Sequence, residues 1–281
     1  MLETTYVITE QDRKEFREKG YWISPKLLDD DQIARLRKAH DRVWAGDYDG
    51  DGYPMHPQSV RPAYEELKLR KLDNGWWVND EVRQAVTDPV MGRWAADLLE
   101  TDEIRLWHDQ MIYKPGVGDR ETAAGNVGWH QDYGYWQATD TTEMITVWIA
   151  LQDTDLTNGG MMSIAGSHRW GLIPESNSFF DQDMDSLKRK FSALGHDWTE
   201  EPCLLKAGQA SFHHALTFHG SGPNRTNEPR LSVVAHLMPG GTGYRPRVQH
   251  HDNVRLLGPR PYAGQPFDNA YFPLVYSRRN S

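Results

Sequence analysis

The pattern of the sequence changes at about residue 103, and this change limits the folds that the chain can adopt. Beyond it, short segments rich in β-branched and aromatic residues alternate with turn residues such as Asn158-Gly159-Gly160 and Pro239-Gly240-Gly241. The predicted strands are Ile104–Lys114, Glu143–Leu151, Met161–Ile164, Cys203–Lys206, Gln209–His214 and Arg230–Met238. Because no helices alternate with these strands, the pattern favours a β-sandwich or jelly roll over a doubly wound parallel sheet.

The residues before this change are predicted to be mainly helical. Helices are predicted from Thr9, from near Asp30, and over Asn79–Ala85 and Val90–Leu99. A further helix, Asp185–Leu194, lies in a polar insert at residues 175–200, which could be a lid or surface decoration. No repeat or linker divides the 281 residues. We therefore expect a single domain with a helical part of about 1–102, a jelly-roll core of about 103–240 and a C-terminal extension at 241–281.

The composition excludes some classes of function. A net charge of −9 argues against general nucleic-acid binding, which needs a basic surface. The longest apolar stretch, about Met144–Leu151, is far shorter than the ~20 residues of a membrane-spanning helix. The N-terminal residues contain no apolar segment of the kind that a secretory signal needs, so we expect none, and the single cysteine, Cys203, cannot form an internal disulfide. We therefore expect a cytoplasmic protein, whose oligomeric state the sequence leaves open.

Two H-x-D pairs stand out among the 12 histidines. On an extended backbone, the side chains of residues i and i+2 point to the same face, so His130 and Asp132 can bind the same ion. One such pair is expected by chance, and the second lies in His250-His251-Asp252. A 2-His-1-carboxylate triad needs a third ligand from a distant strand. No histidine follows His251, whereas His219 lies downstream of Asp132, and this difference favours the first pair.

Several segments occur in an order that is specific although each segment alone is common. They are Phe16–Tyr21, Gln110–Pro115, Trp129–Asp132, Trp148, Asn158–Gly160, Gly166–His168 and His219–Asn224, followed by Arg230. In this set the sequence resembles the phytanoyl-CoA dioxygenase family of iron(II)- and 2-oxoglutarate-dependent oxygenases, to which ectoine hydroxylase also belongs. The resemblance covers nearly the whole chain. It implies a mainly β protein with flanking helices, whose double-stranded β-helix (jelly roll) carries the iron.

The resemblance also implies roles for particular residues. His130, Asp132 and His219 would bind iron(II) and form the catalytic centre, leaving three positions of an octahedral ion for 2-oxoglutarate and O2. Arg230 would anchor the far carboxylate of 2-oxoglutarate, because a guanidinium offers a permanently charged fork of donors. The other positions that match cosubstrate-binding positions of the family are Ser221, Gln110 and Trp148.

The implied reaction is hydroxylation of an unactivated C–H bond of a small organic substrate, with release of succinate and CO2. Because Asp132 is present, no coordination position is free for halide, as related halogenases require. Residues around the triad suggest a pocket with aromatic walls. They are Met111, Tyr113, Tyr133, Tyr135 and Trp136. Arg245 and Arg247, near His250-His251, could receive an anionic group of the substrate, whose identity the resemblance does not give.

Two other classes of protein remain open on the sequence alone. A cupin-like jelly-roll metalloenzyme, either an isomerase or a hydrolase, would bind a metal without using 2-oxoglutarate, and it would have no need of Arg230. A non-catalytic carbohydrate-binding sandwich would account for the 11 tryptophans as an exposed aromatic face. That second class gives no reason for His130, Asp132 and His219 to converge.

Overall fold

The computed structural model describes residues 5–55, 68–123, 125–247 and 251–280. The α-helices are α1 (Glu10–Lys19), α2 (Asp30–Trp44), α3 (Asp80–Val86), α4 (Pro89–Leu98) and α5 (Met184–Ser192). The strands are β1 (Tyr21–Ile23), β2 (Arg70–Asp73), β3 (Glu103–Lys114), β4 (Val127–His130), β5 (Ile145–Ala150), β6 (Met162–Ile164), β7 (Glu200–Pro202), β8 (Ala210–His214), β9 (His219–Ser221), β10 (Arg230–Pro239) and β11 (Leu274–Ser277).

The helices begin where the capping signals place them. Thr9 and Asp12 form a capping box at the start of α1, and Asp29 and Gln32 form another at the start of α2. Gly20 caps the C-terminal end of α1, and its φ of 79° lies in the left-handed region that favours glycine. The predicted helices are confirmed to within a few residues. No helix in the described ranges is both long and apolar enough to cross a bilayer.

The strands form two antiparallel sheets. The larger sheet has the order β1-β8-β5-β10-β3-β11, with β2 also beside β3, and the smaller has the order β4-β9-β6-β7. A cavity is lined by side chains of both sheets, including Gln110 and Trp148 of the larger sheet and His130 and His219 of the smaller. Two antiparallel sheets with flanking helices agree with the predicted jelly roll.

The two faces of the larger sheet have different environments. Every second residue of β10 between Leu231 and Leu237 lies in the main hydrophobic core, together with apolar residues of α1 to α4. The alternate residues Val234 and His236 line the cavity instead. Because side chains alternate between the faces of a strand, the helices cover one face of this sheet and leave the other face to form a site.

One predicted strand is wrong. The segment Cys203–Lys206 is irregular, and β7 lies just before it at Glu200–Pro202. Within the segment, Leu205 forms a single isolated bridge to Thr154. Cys203 and Leu205 are buried through loop contacts whereas Leu204 is 57% exposed, so the alternation that resembles a strand arises from an irregular segment.

Six short strands were not predicted. β1, β2, β4, β7, β9 and β11 have only three or four residues each, too few for a period to be recognised. Both β1 and β2 lie within the part expected to be helical, and β11 lies in the expected C-terminal extension. The larger sheet therefore takes strands from outside the expected core at 103–240.

Candidate metal centre

Three side chains with metal-binding atoms meet in the cavity between the sheets. His130 ends β4, Asp132 follows in a short 3₁₀ turn, and His219 begins β9. Their ligand atoms all lie within 4.8 Å of one another. Oδ1 of Asp132 is 3.5 Å from Nε2 of His130 and 3.8 Å from Nε2 of His219. Two imidazole nitrogens and one carboxylate oxygen are a ligand set that suits iron(II) and leaves positions open.

Backbone carbonyl groups orient both imidazoles. Nδ1 of His130 donates a hydrogen bond to the carbonyl oxygen of Gly128 at 2.8 Å, and Nδ1 of His219 donates to that of Thr217 at 3.0 Å. In this tautomer the Nε2 atoms, which approach Asp132, keep their lone pairs. A neutral imidazole held through its other nitrogen is the form in which histidine binds metals.

The larger sheet holds the second carboxylate oxygen of Asp132. Oδ2 accepts a hydrogen bond from Oγ1 of Thr146 at 2.6 Å and lies 3.4 Å from Nε2 of His213. The hydroxyl of Thr146 is also hydrogen-bonded to Nδ1 of His236 at 2.8 Å. These contacts turn Oδ1 toward the two imidazoles of the triad.

The surroundings favour the charge states that bind a metal. Burial alone would raise the pKa of Asp132, but that pKa is held well below its usual range because a proton taken up at this site stays on the surrounding imidazoles, first His219 and then His130 and His213, rather than on the carboxylate. Burial, together with the nearby His130, lowers the pKa of His219 well below its usual range. Metal ligands must be an ionised carboxylate and neutral imidazoles. The donor set, its convergence, the ionised carboxylate of Asp132 and the neutral ring of His219 therefore fit a divalent metal ion.

Cross-strand rows of the larger sheet form one wall of the cavity. The row against Asp132 consists of His108, His236, Thr146 and His213. The next row on the same face consists of Gln110, Val234 and Trp148. Farther along β3 and β10, Lys114 of β3 is paired with Arg230 of β10. The cavity therefore runs from an imidazole-rich end toward a cationic end.

The cationic end contains the residues that were expected to bind 2-oxoglutarate. Arg230 is 3% exposed, and its guanidinium carbon lies 4.9 Å from the centre of the Trp148 ring. It donates a hydrogen bond to the carbonyl oxygen of Gly159. Burial lowers the pKa of Arg230 to about 9, which leaves it a cation at neutral pH. Ser221 and Gln110 line the same cavity.

Comparison with known proteins identifies the family. The family model for phytanoyl-CoA dioxygenase matches residues 16–232. The chain belongs to the phytanoyl-CoA dioxygenase family. This confirms the predicted resemblance and the predicted enzyme class, that of the 2-oxoglutarate-dependent dioxygenases, whose cofactors are iron(II), 2-oxoglutarate and O2.

The proteins related to this chain are named for different substrates. The peroxisomal phytanoyl-CoA dioxygenase of Rattus norvegicus is 22% identical over 236 residues, which cover 82% of this chain and 68% of the rat protein. The ectoine dioxygenase of Streptomyces avermitilis is 29% identical over 244 residues, which cover 80% of this chain and 77% of that protein.

Solved structures support the jelly-roll fold of this dioxygenase. The epimerase SnoN from nogalamycin biosynthesis, in complex with Fe3+, alpha ketoglutarate and nogalamycin RO, superimposes with a TM-score of 0.71 at 24% identity, covering 95% of this chain and 98% of that one. The carbocyclase SnoK gives a TM-score of 0.72 at 21% identity, covering 95% and 96%. The predicted fold class is confirmed.

The polar insert contributes a wall of the cavity in this dioxygenase. Phe179 lines the cavity, and its ring centre lies 5.1 Å from that of His130. The backbone N–H of Gly128 donates to the carbonyl oxygen of Phe179 at 3.1 Å, and the hydroxyl of Ser178 donates to that of Trp129 at 2.6 Å. The start of the insert therefore runs along β4, beside the metal-binding side chains.

Two residues expected in the substrate pocket are placed elsewhere by the structure. Met111 and Tyr113 alternate with Gln110 and Ile112 on β3, so their side chains occupy the opposite face of the sheet. Met111 lies in the main core, and Tyr113 packs against it beneath the guanidinium of Arg70 at 4.6 Å. The expectation that these two residues lie near the iron is corrected, because the strand directs them toward the helices.

The other three expected pocket residues differ in position. Tyr133 is buried, with its hydroxyl donating to a backbone carbonyl oxygen, and Trp136 is buried with its ring centre 4.6 Å from that of His236. Tyr135 lines a second cavity of about 590 Å³, and its ring centre lies 6.3 Å from that of His130. Tyr135 is thus the one of the three with access to a cavity beside the metal centre.

Several residues of this site were not predicted, because no local motif marks them. They are His108, Thr146, Phe179, His213 and His236, and Lys114 was predicted only as part of the segment Gln110–Pro115. Arg245 and Arg247 are exposed and line neither cavity. His251 does line the larger cavity, whereas His250 lies outside the described residues. A role of the two arginines in substrate binding stays a hypothesis.

Proposed function

We propose that this chain is an iron(II)- and 2-oxoglutarate-dependent oxygenase that hydroxylates an unactivated C–H bond of a small organic substrate and releases succinate and CO2. One observation carries the proposal. The cavity that holds His130, Asp132 and His219 at one end also has the buried Arg230 in its wall. A jelly-roll metalloenzyme that does not use a 2-oxo dicarboxylic acid has no need of such a cation.

The two ends of the cavity have separate tasks. His130, Asp132 and His219 would hold iron(II) through the atoms that converge, Nε2, Oδ1 and Nε2, and such a ligand set would leave positions for the 2-oxo acid and O2. Arg230 receives the distal carboxylate, because the planar fork of a guanidinium matches the two oxygens of a carboxylate. The other residues proposed to contact 2-oxoglutarate line the same cavity, and they are Ser221, Gln110 and Trp148.

When bound, iron(II) and 2-oxoglutarate supply the oxidising chemistry, in which one atom of O2 enters succinate, the other enters the substrate, and CO2 leaves. The protein holds the reactants in place and excludes water. Phe179 and Trp148 give the cavity apolar walls beside the metal-binding atoms. Because Oδ1 of Asp132 would take a ligand position on the iron, no position would be free for halide, and this favours hydroxylation.

We propose that the substrate binds in the cavity of about 590 Å³ that adjoins the metal centre. This volume suits a drug-sized organic molecule. Its lining combines the aromatic ring of Tyr135 and the apolar Leu172 with the polar side chains of Asp73 and His251. A small molecule with both apolar and polar parts matches such a surface.

The test is turnover of 2-oxoglutarate. The protein with iron(II), 2-oxoglutarate labelled in its first carboxylate, and a mixture of small metabolites should release labelled CO2 and an equal amount of succinate. The product should gain one atom from isotopically labelled O2. His219→Ala should abolish turnover, whereas His196→Asn should retain it, since His196 stacks on Trp170 and lines neither cavity. Turnover that persists in His219→Ala would contradict the proposal, as would a wild-type protein that neither binds nor consumes 2-oxoglutarate.

A further inference from the structure

Two buried cations face each other at the cationic end of the cavity. Lys114 ends β3 and Arg230 begins β10, and they are direct partners in the antiparallel ladder. Lys114 is fully buried and Arg230 is 3% exposed. Like charges directly opposite each other on two strands are destabilising. Within the described residues, no carboxylate lies close enough to form an ion pair with either one, so the arrangement calls for an anion.

Lys114 does not line the cavity itself, but it contacts Ser221, which does. Its Nζ lies 2.6 Å from the hydroxyl oxygen of Ser221, 2.5 Å from the carbonyl oxygen of Gly222 and 3.4 Å from the carbonyl oxygen of Ser221. An ammonium group has three donors and no acceptor. In this charged form Lys114 can only donate, so the hydroxyl of Ser221 accepts from it and keeps its own hydrogen to donate elsewhere. Ser221 shares the cavity wall with Arg230.

The loop at Asn158–Gly160 keeps the two cations in place. The carbonyl oxygen of Gly159 accepts a hydrogen bond from Arg230. A Cβ at Gly159 would lie 2.9 Å from Cδ of Lys114, and its φ of +69° is one that glycine adopts readily. Because Gly159 has no side chain, the loop backbone can lie close to the side chain of Lys114. The carbonyl oxygen of the same residue holds Arg230 in place.

We infer that Lys114 is a positioning residue for the distal carboxylate of 2-oxoglutarate, because it makes the hydroxyl of Ser221 a hydrogen-bond donor toward that carboxylate beside Arg230. The inference rests on the proposed function. It gives Lys114 a part in the recognition of the distal carboxylate, which a 2-oxo acid that ends in a methyl group lacks.

Desolvation gives this arrangement its selectivity. Burial and the charge of Arg230 lower the pKa of Lys114 well below its ordinary value. A carboxylate bound beside Arg230 opposes both effects, since a buried charge is stabilised by a hydrogen-bonded partner of opposite sign. An uncharged tail at the same place would leave two buried cations without compensation.

The experiment compares two ligands on the iron(II)-loaded protein without oxygen. 2-Oxoglutarate and 2-oxopentanoate share the chelating end, but the second lacks the distal carboxylate. We expect Lys114→Met to weaken 2-oxoglutarate binding about tenfold or more and to change 2-oxopentanoate binding less than twofold. Lys206→Met, which removes an exposed lysine paired with Asp153, should change neither affinity. Calorimetric titration measures both, and thermal denaturation verifies that each variant is folded.

A double-mutant cycle separates positioning from simple charge. If Lys114 acts through Ser221, the loss of affinity in the Lys114→Met, Ser221→Ala double variant should be clearly smaller than the product of the two single losses. Should Lys114→Met fail to fold, Lys114→Gln takes its place in the same titrations.

Three results have distinct meanings. An unchanged 2-oxoglutarate affinity in Lys114→Met, or an equal loss for the two acids, overturns the inference. Independent, multiplicative losses in the cycle overturn the positioning role through Ser221. A wild-type protein that does not bind 2-oxoglutarate at all contradicts the proposed function instead.

Discussion

His130 and His219 are direct cross-strand partners in the antiparallel pair β4–β9, and their ring centres lie 4.1 Å apart. The ladder that pairs the two backbones therefore also pairs the two ligands, which makes their separation more precise than a flexible loop would. The register of the pair shifts between Val127 and His130, and such irregularities commonly re-aim side chains next to active sites. Asp132 follows within two residues, so one short segment presents two ligands and the facing strand presents the third.

Thr146 should control the affinity for iron(II). Thr146→Val keeps the shape of the side chain but removes the hydroxyl that donates to Oδ2 of Asp132 at 2.6 Å. We expect iron(II) to bind about ten- to a hundredfold more weakly. Thr146→Ser keeps the hydroxyl and should bind nearly as the wild type does. Anaerobic titration with iron(II) measures all three proteins, and an unchanged affinity in Thr146→Val would show that the hydroxyl does not position Asp132.

A side chain at Gly128 should destabilise the fold. A Cβ there would overlap the backbone oxygens of Ser178 and Asp181, which cannot move without moving the insert. We expect Gly128→Ala to lower the free energy of unfolding by about 1–3 kcal/mol. Gly222→Ala is the control, since a Cβ there meets no atom within 4 Å. Denaturant unfolding measures both, and similar stabilities of the two variants would contradict the close approach of the insert to β4.

The buried His40 should make folding stability depend on pH. Its Nε2 donates to the carbonyl oxygen of Ser232 at 3.1 Å, and its Nδ1 accepts from the indole N–H of Trp44 at 3.3 Å, so the neutral ring is fully bonded. Burial is the main cause that lowers the pKa of His40 from 6.5 to about 4. Because the unfolded chain takes up the proton first, the contribution of this residue is present above pH 6.5 and is lost as the pH falls toward 4.

The loss amounts to roughly 3 kcal/mol in the free energy of unfolding. His40→Gln retains a donor and an acceptor but does not titrate. The advantage of the wild type over this variant should therefore shrink as the pH is lowered through that window. Denaturant unfolding at a series of pH values provides the measurement, and a difference that is constant with pH would show that His40 does not titrate as described.

The convergence of the three side chains could be predicted because their signals are local. His130 and Asp132 are two residues apart on an extended segment, and His219 belongs to a motif that follows in a fixed order. In contrast, Met111 was misplaced because both sets of alternate residues on β3 include apolar side chains, such as Met111 and Ile112. A pattern of this kind cannot tell which face is turned toward the cavity.

Two contacts of the larger sheet could not be predicted, namely the cross-strand row of histidines beside Asp132 and the pair of buried cations. His108, His236 and His213 share a row only because the registers of three strand pairs coincide. The pairing of Lys114 with Arg230 depends on the same register. Strand register arises from packing and turn geometry across the whole sheet, so these contacts have no signature in a short segment of sequence.

Anaerobic addition of iron(II) followed by 2-oxoglutarate, monitored by visible absorption, tests the central claim most directly. We predict a weak charge-transfer band in the wild type that requires both components. We predict no band in His219→Ala, although circular dichroism should show that this variant is folded. A wild-type protein without the band, or a His219→Ala variant that retains it, would contradict the assignment of His130, Asp132 and His219 as the ligands of a 2-oxoglutarate-binding iron centre.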